Sequence, residues 1–182
     1  MLTNLLIYRW IIANLAVASA LILPTIGGYT ERIFTEDTSY ISHAIVALFF
    51  AAWIWNARET FRMAAWRNGY TKGLIGHRTR ATSMDRDKAM SKIDWLNQVP
   101  GWLAALGLLG TIIGFKIALG AVDQGSLSNT QGVQTSIGAL MAGVTIAINT
   151  TIVGAVTGLW LEINNRILRT AAESYWADRR QP

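Results

Sequence analysis

Uncharged polar side chains lie inside the two apolar segments of the second half of the chain. Thr111 belongs to the first of these segments, and Thr145, Asn149, Thr150 and Thr151 belong to the second. Hydroxyl and amide groups can bind water or ligate a passing cation, but they do not take up and release protons near neutral pH. Neither segment contains Asp or Glu along its apolar length. A proton-carrying acid would therefore have to come from another chain.

Two interpretations of these polar groups remain open. A membrane threonine often bonds the carbonyl four residues earlier in its own helix, and this is the structural interpretation for Thr145 and Thr150. Asn149 is more costly to bury in an apolar segment, which favours an interhelical hydrogen bond or a wetted cavity.

Small residues recur at helical spacing in the same two segments. In the first, Gly107, Gly110, Thr111 and Gly114 stand at i, i+3, i+4 and i+7, so they share one narrow stripe of a helix. Small side chains let helix backbones approach closely inside a membrane. A second stripe has steps of 4, 4, 3 and 4 and consists of Gly143, Ala147, Thr151, Gly154 and Gly158. We expect the two helices to be close neighbours.

Composition indicates a membrane protein. The chain has 182 residues, of which 52% are hydrophobic and 15% charged, and its mean hydropathy is +0.30; such values are unusual for a soluble domain. There is no cysteine, and the two histidines, His43 and His77, are far apart in sequence. We therefore expect no metal site and no cofactor, and no constellation of residues supports an enzyme.

Four apolar runs predict an all-α integral membrane protein with four transmembrane helices. They cover about 5–26, 41–55, 99–122 and 130–166. At about 1.5 Å per residue the last run would be roughly 50 Å long, whereas the hydrocarbon core is about 30 Å thick. The last two helices are therefore expected to be long and to extend into the cytoplasm.

Charge placement predicts the orientation and the domain organisation. Nine of the sixteen basic residues lie in the connector between the second and third runs, so the positive-inside rule places it, and with it both termini, in the cytoplasm. This basic segment is compatible with binding anionic lipid, and no basic soluble fold is present to bind nucleic acid. The predicted parts are peripheral helices 1 and 2 (1–57), the connector (58–94), helices 3 and 4 (95–169) and a cytoplasmic tail (170–182).

Two local features are also predicted. Thr35 or Thr38 is expected to cap the second membrane helix, and Ser83 or Thr82 is expected to cap a helix in the connector. Lys116 is the one charge within the third run; it either reaches the outer interface near Asp123 or lies at the mouth of an ion path, facing a partner's carboxylate.

These motifs resemble the family of bacterial ion-driven motor subunits that includes MotA, TolQ and ExbB. Gly107-Leu-Leu-Gly-Thr-Ile-Ile-Gly114 is similar to the Gly-Leu-Leu-Gly-Thr-Val-x-Gly signature of TolQ and ExbB. Ala147-Ile-Asn-Thr-Thr-Ile-Val-Gly154 is similar to the Ala-Leu-x-Thr-Thr-x-x-Gly segment of MotA. The resemblance covers about residues 95–169, and the chain looks like a short four-span member.

The resemblance implies a homo-oligomer, a pentamer, in the bacterial inner membrane. Helices 3 and 4 would line a pore around a dimer of a single-span partner resembling MotB, TolR or ExbD, which would carry a membrane aspartate. Thr111 and Thr151 match the family's pore threonines, and the glycines would form a smooth wall. The function implied is coupling of proton flow, or sodium flow, to mechanical work. The alternative is a holin-like or structural membrane protein that works without a partner and uses its glycine stripes for packing alone.

Overall fold

The structure is a computed structural model that describes residues 5–72, 83–120 and 130–178. The described residues are almost entirely helical and contain no strand. Residues 73–82 of the basic connector and residues 121–129, between the third and fourth predicted membrane helices, lie outside the described residues. The helices are α1 (Leu5–Ile26), α2 (Tyr29–Glu36), α3 (Ile41–Lys72), α4 (Ser83–Leu96), α5 (Val99–Gly120) and α6 (Thr130–Asp178).

The prediction of four membrane-spanning helices is confirmed by length and composition. Four helical stretches among the described residues are long and apolar enough to cross a membrane, and they begin at Leu5, Ile41, Arg86 and Thr130. The predicted second run, 41–55, forms the first part of α3, which continues to Lys72. Asn56 to Trp66 keep the helix intact because they include no Gly or Pro to break it.

The third span is not one long helix, contrary to the expectation for the last two spans. The chain turns at Asn97 and Gln98 between α4 and α5. Pro100 has no N–H group, so a continuous helix would leave the carbonyl of Leu96 without its usual donor. The Asn165 side chain fills this role, because its Nδ2 donates to the Leu96 oxygen at 2.7 Å. A proline two residues into α5 therefore separates a connector helix from the membrane helix.

Asp37, and not Thr35 or Thr38, caps α3. Its Oδ2 accepts a hydrogen bond from the Ser42 amide at 2.8 Å, and its Oδ1 accepts one from the Ser39 amide at 2.9 Å. The Thr35 hydroxyl instead donates to carbonyls of α2. Burial of Asp37 raises its pKa, but the hydrogen bonds from Ser39 and Ser42 outweigh burial and hold the pKa below its ordinary value of 3.8.

Acid should destabilise this cap. Because the pKa of Asp37 is lower in the folded protein, its contribution to stability is present above about pH 3.8 and is lost as the pH falls through the folded value. We expect the thermal midpoint of the wild-type protein to fall more steeply as the pH drops below about 4 than that of Asp37→Asn, which has no carboxylate to protonate. Parallel pH profiles of the two proteins would contradict this role of Asp37.

The chain divides into two compact units. The first comprises Met1–Ala20, Phe50–Pro100 and Leu159–Pro182, and the second comprises Leu21–Phe49 and Gly101–Gly158. The first unit has an apolar core, with Leu96, Leu168 and Ala172 fully buried at its centre. Trp176 and Tyr175 from the end of α6 belong to the same core.

Asparagine and tryptophan side chains join three helices of the first unit. Asn14 of α1 accepts hydrogen bonds from the indole N–H groups of Trp53 in α3 and Trp160 in α6, each at 2.8 Å. Its amide nitrogen donates to the Asn164 oxygen at 2.7 Å and to the Trp10 carbonyl at 2.8 Å. Both the donors and the acceptor of the Asn14 amide are therefore used, which makes its placement among apolar helices tolerable.

A second chain of hydrogen bonds ends at the carbonyl released by Pro100. Trp10 donates to Asn56 at 3.1 Å, Asn56 donates to Asn165 at 2.8 Å, and Asn165 donates to the Leu96 carbonyl. Asn56 and Leu96 have no exposed surface, and Asn165 is 3% exposed. Buried amides that are satisfied in this way fix the register of the helices that carry them.

Replacing Asn165 by leucine should destabilise the protein. The substitution leaves the Leu96 carbonyl oxygen and the side-chain nitrogen of Asn56 without their hydrogen-bond partners, and each buried unsatisfied group costs about 1–3 kcal/mol. The expected result is a lower thermal midpoint in detergent. Since Asn56→Leu breaks the same bond, the double variant should lose less stability than the sum of the two single variants; strict additivity would show that the two amides act independently.

Candidate functional site at the α5–α6 seam

Glycines bring α5 and α6 into backbone contact within the second unit. A methyl group placed on Gly114 would lie 2.6 Å from the Gly143 carbonyl oxygen and 2.7 Å from the Ala147 amide nitrogen. On Gly154 it would lie 2.7 Å from the carbonyl oxygen of Leu103. These distances are far below van der Waals contact, so the seam admits no side chain at either position.

The contacts also show that the two helices are antiparallel. Gly114 faces Gly143 and Ala147, Gly110 faces Thr150, and Gly107 faces Gly154. The structure thus brings together the small residues of both predicted stripes, and Gly158 is buried on the same helix. Their use as a wall of a pore stays a prediction.

Thr111 and Thr151 meet at the edge of this seam, forty residues apart in sequence. Their hydroxyl oxygens are hydrogen-bonded at 2.5 Å. Both hydroxyls also reach the Ala147 carbonyl, at 3.2 Å from Thr111 and 3.0 Å from Thr151. Thr111 has a further carbonyl in reach, that of Gly107, at 3.2 Å. The pair is therefore held by backbone groups of both helices.

The threonine pair lies on a surface that the chain itself leaves uncovered. Thr111 is half-buried and Thr151 exposed. One turn away on their own helices lie Leu108, Phe115 and Ile148, which are 62%, 53% and 53% exposed. An apolar surface of this kind is covered by lipid or by another protein chain, and the hydroxyl pair is a polar point within it.

The other polar residues predicted for the ion path, Thr145, Asn149 and Thr150, do not join the threonine pair. Thr145 donates to the Met141 carbonyl at 2.9 Å, and Thr150 donates to the Ile146 carbonyl at 3.0 Å. Both bonds lie within α6, as the structural interpretation proposed. Asn149 is only 8% exposed, and its Nδ2 has no hydrogen-bond partner among the described residues. Its part in a wetted cavity or an ion path remains a prediction.

Lys116 is exposed on α5, at some distance along the helix from the threonine pair. It forms no salt bridge with another described residue, while Asp123, its predicted neighbour, lies outside the described residues. Among the described residues no group of three or more His, Asp or Glu side chains is placed to hold a metal ion. The chemistry available at the seam is thus that of hydroxyl oxygens.

The asparagine–tryptophan network of the first unit was not predicted from the sequence. Asn14 lies in the middle of an apolar helix, where a buried amide requires hydrogen-bond partners. Its position alone therefore indicated a polar contact with another helix. Asn56 follows the second apolar run, and Asn164 and Asn165 lie at the end of the fourth, where an amide is a weaker indication. Their partners could not be named without the structure, since they lie between 39 and 150 residues away.

Comparisons with known proteins give one match. A family model described as the MotA/TolQ/ExbB proton channel family matches residues 72–181. This range is more than half of the chain, and it includes α4, α5, α6 and therefore the whole seam. No curated protein and no solved structure matches the chain.

Proposed function

Because the chain belongs to the MotA/TolQ/ExbB proton channel family, we propose that it is a stator subunit that couples ion flow to mechanical work together with a single-span partner. Proteins of this family are channels of ion-driven systems and generally work with single-span partners in oligomeric complexes. The observation that carries the proposal is the hydroxyl pair of Thr111 and Thr151 at the uncovered edge of the α5–α6 seam.

The absence of an acidic side chain from the apolar parts of α5 and α6 supports the proposal that a partner protein supplies one. No Asp or Glu occurs in α5, and the first acid of α6 is Glu162, near the end of its apolar part. A proton path through a membrane needs a titratable group, which threonine and asparagine do not supply. The proposed partner brings an aspartate beside Thr111 and Thr151, and each protonation of that aspartate biases rotation of one component against the other.

The exposed apolar side chains of the spanning helices support the proposal that several copies of the chain assemble. In a single chain, at most a third of the residues in the most apolar part of any spanning helix are buried. In the proposed pentamer, α5 and α6 of neighbouring copies cover part of this surface and surround the partner dimer. The excess of basic residues in the connector and tail supports a location in the bacterial inner membrane with both termini in the cytoplasm. The transported ion is H⁺ or Na⁺.

Co-purification tests the proposal. The full chain is co-expressed with the products of its neighbouring genes, and the detergent-solubilised complex is isolated through a tag on the chain. We expect recovery of a protein with one apolar span that contains an Asp, and proton uptake by proteoliposomes that contain both proteins. Changing that Asp to Asn in the partner should abolish uptake and leave co-purification intact.

Two outcomes would count against the proposal. Repeated failure to recover any single-span protein with a membrane Asp would remove the partner on which coupling depends. Proton or ion leakage through proteoliposomes that contain the chain alone would favour the holin-like alternative.

A further inference from the structure

A cleft lies between the first turns of α1 and the distal part of α6, within the first unit. Its volume is about 250 Å³, and Arg9 and Arg166 line it together with the hydroxyl-bearing Thr170 and Ser174. The rest of its lining is apolar and includes Leu5 and Ile167. Its α6 residues begin 15 positions after Thr151 on the same helix, and the proposed ion path makes no use of them.

The two arginines make the cleft electropositive. Arg9 forms no salt bridge with another described residue. Arg166 is 3.8 Å from Glu162, and the two side chains are 81% and 53% exposed, so this contact does little to neutralise the guanidinium. Guanidinium groups bind phosphate oxygens through paired hydrogen bonds. The ligand favoured by this charge is an anion with phosphate chemistry.

The apolar lining and the position of the cleft further restrict the class of ligand that it fits. The cleft borders Leu5, the first residue of the first candidate membrane span, and Leu5 is 40% exposed. A free anion would gain nothing from Leu5 and Ile167. A phospholipid would place its phosphate between the arginines and the start of its acyl chains against these side chains, so one molecule uses both halves of the cleft.

We propose that this cleft binds the headgroup of an anionic phospholipid, with Arg9 and Arg166 holding the phosphate. The lipid would link the beginning of α1 to the end of α6 at the membrane surface. The proposal does not depend on ion coupling, because it concerns only residues of the first unit and requires no partner protein.

Lipid binding by the full chain in detergent tests the proposal, with native mass spectrometry as the readout. Phosphatidylglycerol is expected to bind in preference to phosphatidylcholine. Since each basic residue near the headgroup contributes about 1 kcal/mol, which is roughly fivefold in affinity, Arg9→Gln/Arg166→Gln should weaken phosphatidylglycerol binding by roughly 30-fold. Arg32→Gln/Arg169→Gln removes the same charge from exposed positions outside the cleft and the connector and should change binding by less than about twofold.

A second variant tests the cleft without removing an arginine, so that the test does not depend on the folding of Arg9→Gln/Arg166→Gln. Ser174→Leu fills part of the cleft without changing its charge and should also weaken phosphatidylglycerol binding. Three results would overturn the proposal: equal binding of phosphatidylcholine and phosphatidylglycerol by the wild-type protein, equal loss in the control variant, or unchanged binding in Arg9→Gln/Arg166→Gln. Displacement of the lipid by glycerol phosphate at equal concentration would likewise overturn it, because it would identify a site for a soluble phosphate.

Discussion

Replacing Thr151 by valine is expected to reduce proton uptake by the reconstituted complex roughly ten- to hundredfold while leaving the complex assembled. Valine has nearly the shape of threonine but lacks the hydroxyl. A hydrogen bond to a charged group contributes about 1.5–3 kcal/mol, and this amount corresponds to the stated change in rate if the bond forms as the ion passes. Thr111→Val should have an effect of similar size, because the two hydroxyls form one pair.

Matched variants separate this effect from damage to α6. Thr157 lies on the same helix and is buried, and its hydroxyl donates to the Val153 carbonyl of its own helix at 2.6 Å. Thr157→Val should therefore leave proton uptake close to that of the wild-type complex. Thr151→Ser keeps a hydroxyl and should retain most of the activity. Full uptake by both Thr111→Val and Thr151→Val would remove these residues from the ion path.

Alanine at Gly143 or Gly114 is expected to force α5 and α6 apart. A methyl group on Gly143 would lie 2.5 Å from the Ala118 Cβ and 2.6 Å from the Gly114 carbonyl oxygen. Backbone atoms cannot turn away as a flexible side chain can, and overpacking of this kind costs about 1–3 kcal/mol. Each variant should lower the thermal midpoint in detergent by about 2–4 °C per kcal/mol.

The same helix offers the control for this substitution. A methyl group on Gly138 would meet no atom within 4 Å, so Gly138→Ala should be neutral or should stabilise α6 by up to about 1 kcal/mol through its better helix propensity. Equal midpoints for Gly143→Ala and Gly138→Ala would show that the seam is not closely packed. A displaced seam would also separate Thr111 from Thr151, so the destabilised variants should lose ion coupling as well.

Local patterns were sufficient to predict the helices and the close approach of two of them. The apolar run beginning at Leu5 coincides with α1 because its length and composition are those of a membrane helix. The spacing of Gly107, Gly110 and Gly114 predicted a helix contact because it depends only on the 3.6-residue period of one helix. The connector helix begins at Ser83, in the segment where its start was predicted, while Thr82, one of the two predicted caps, lies outside the described residues.

What local patterns could not supply was the choice of partners. Pro100 signals a possible break in a helix, but nothing near it indicates that Asn165 would satisfy the Leu96 carbonyl. Likewise, the acceptor of the Trp53 indole is Asn14 of another helix. Such pairs follow from how whole helices are placed against each other, and several placements satisfy the same hydrophobic pattern. The cap of α3 was assigned to the wrong residue because Thr35, Asp37 and Thr38 are all common cap types.

The threonine pair has a polarity that follows from counting its hydrogen atoms. Two hydroxyls hold two hydrogens, and acceptors for both exist inside the seam: the Ala147 carbonyl for one and the other hydroxyl for the second. Once these bonds form, only oxygen lone pairs point outward. A cation, a water molecule that donates a hydrogen bond or a protonated acid can bind these lone pairs directly, whereas a carboxylate would require a hydroxyl to turn outward and give up a bond inside the seam. The pair can therefore distinguish the protonated from the ionised form of an acid although neither threonine carries a charge.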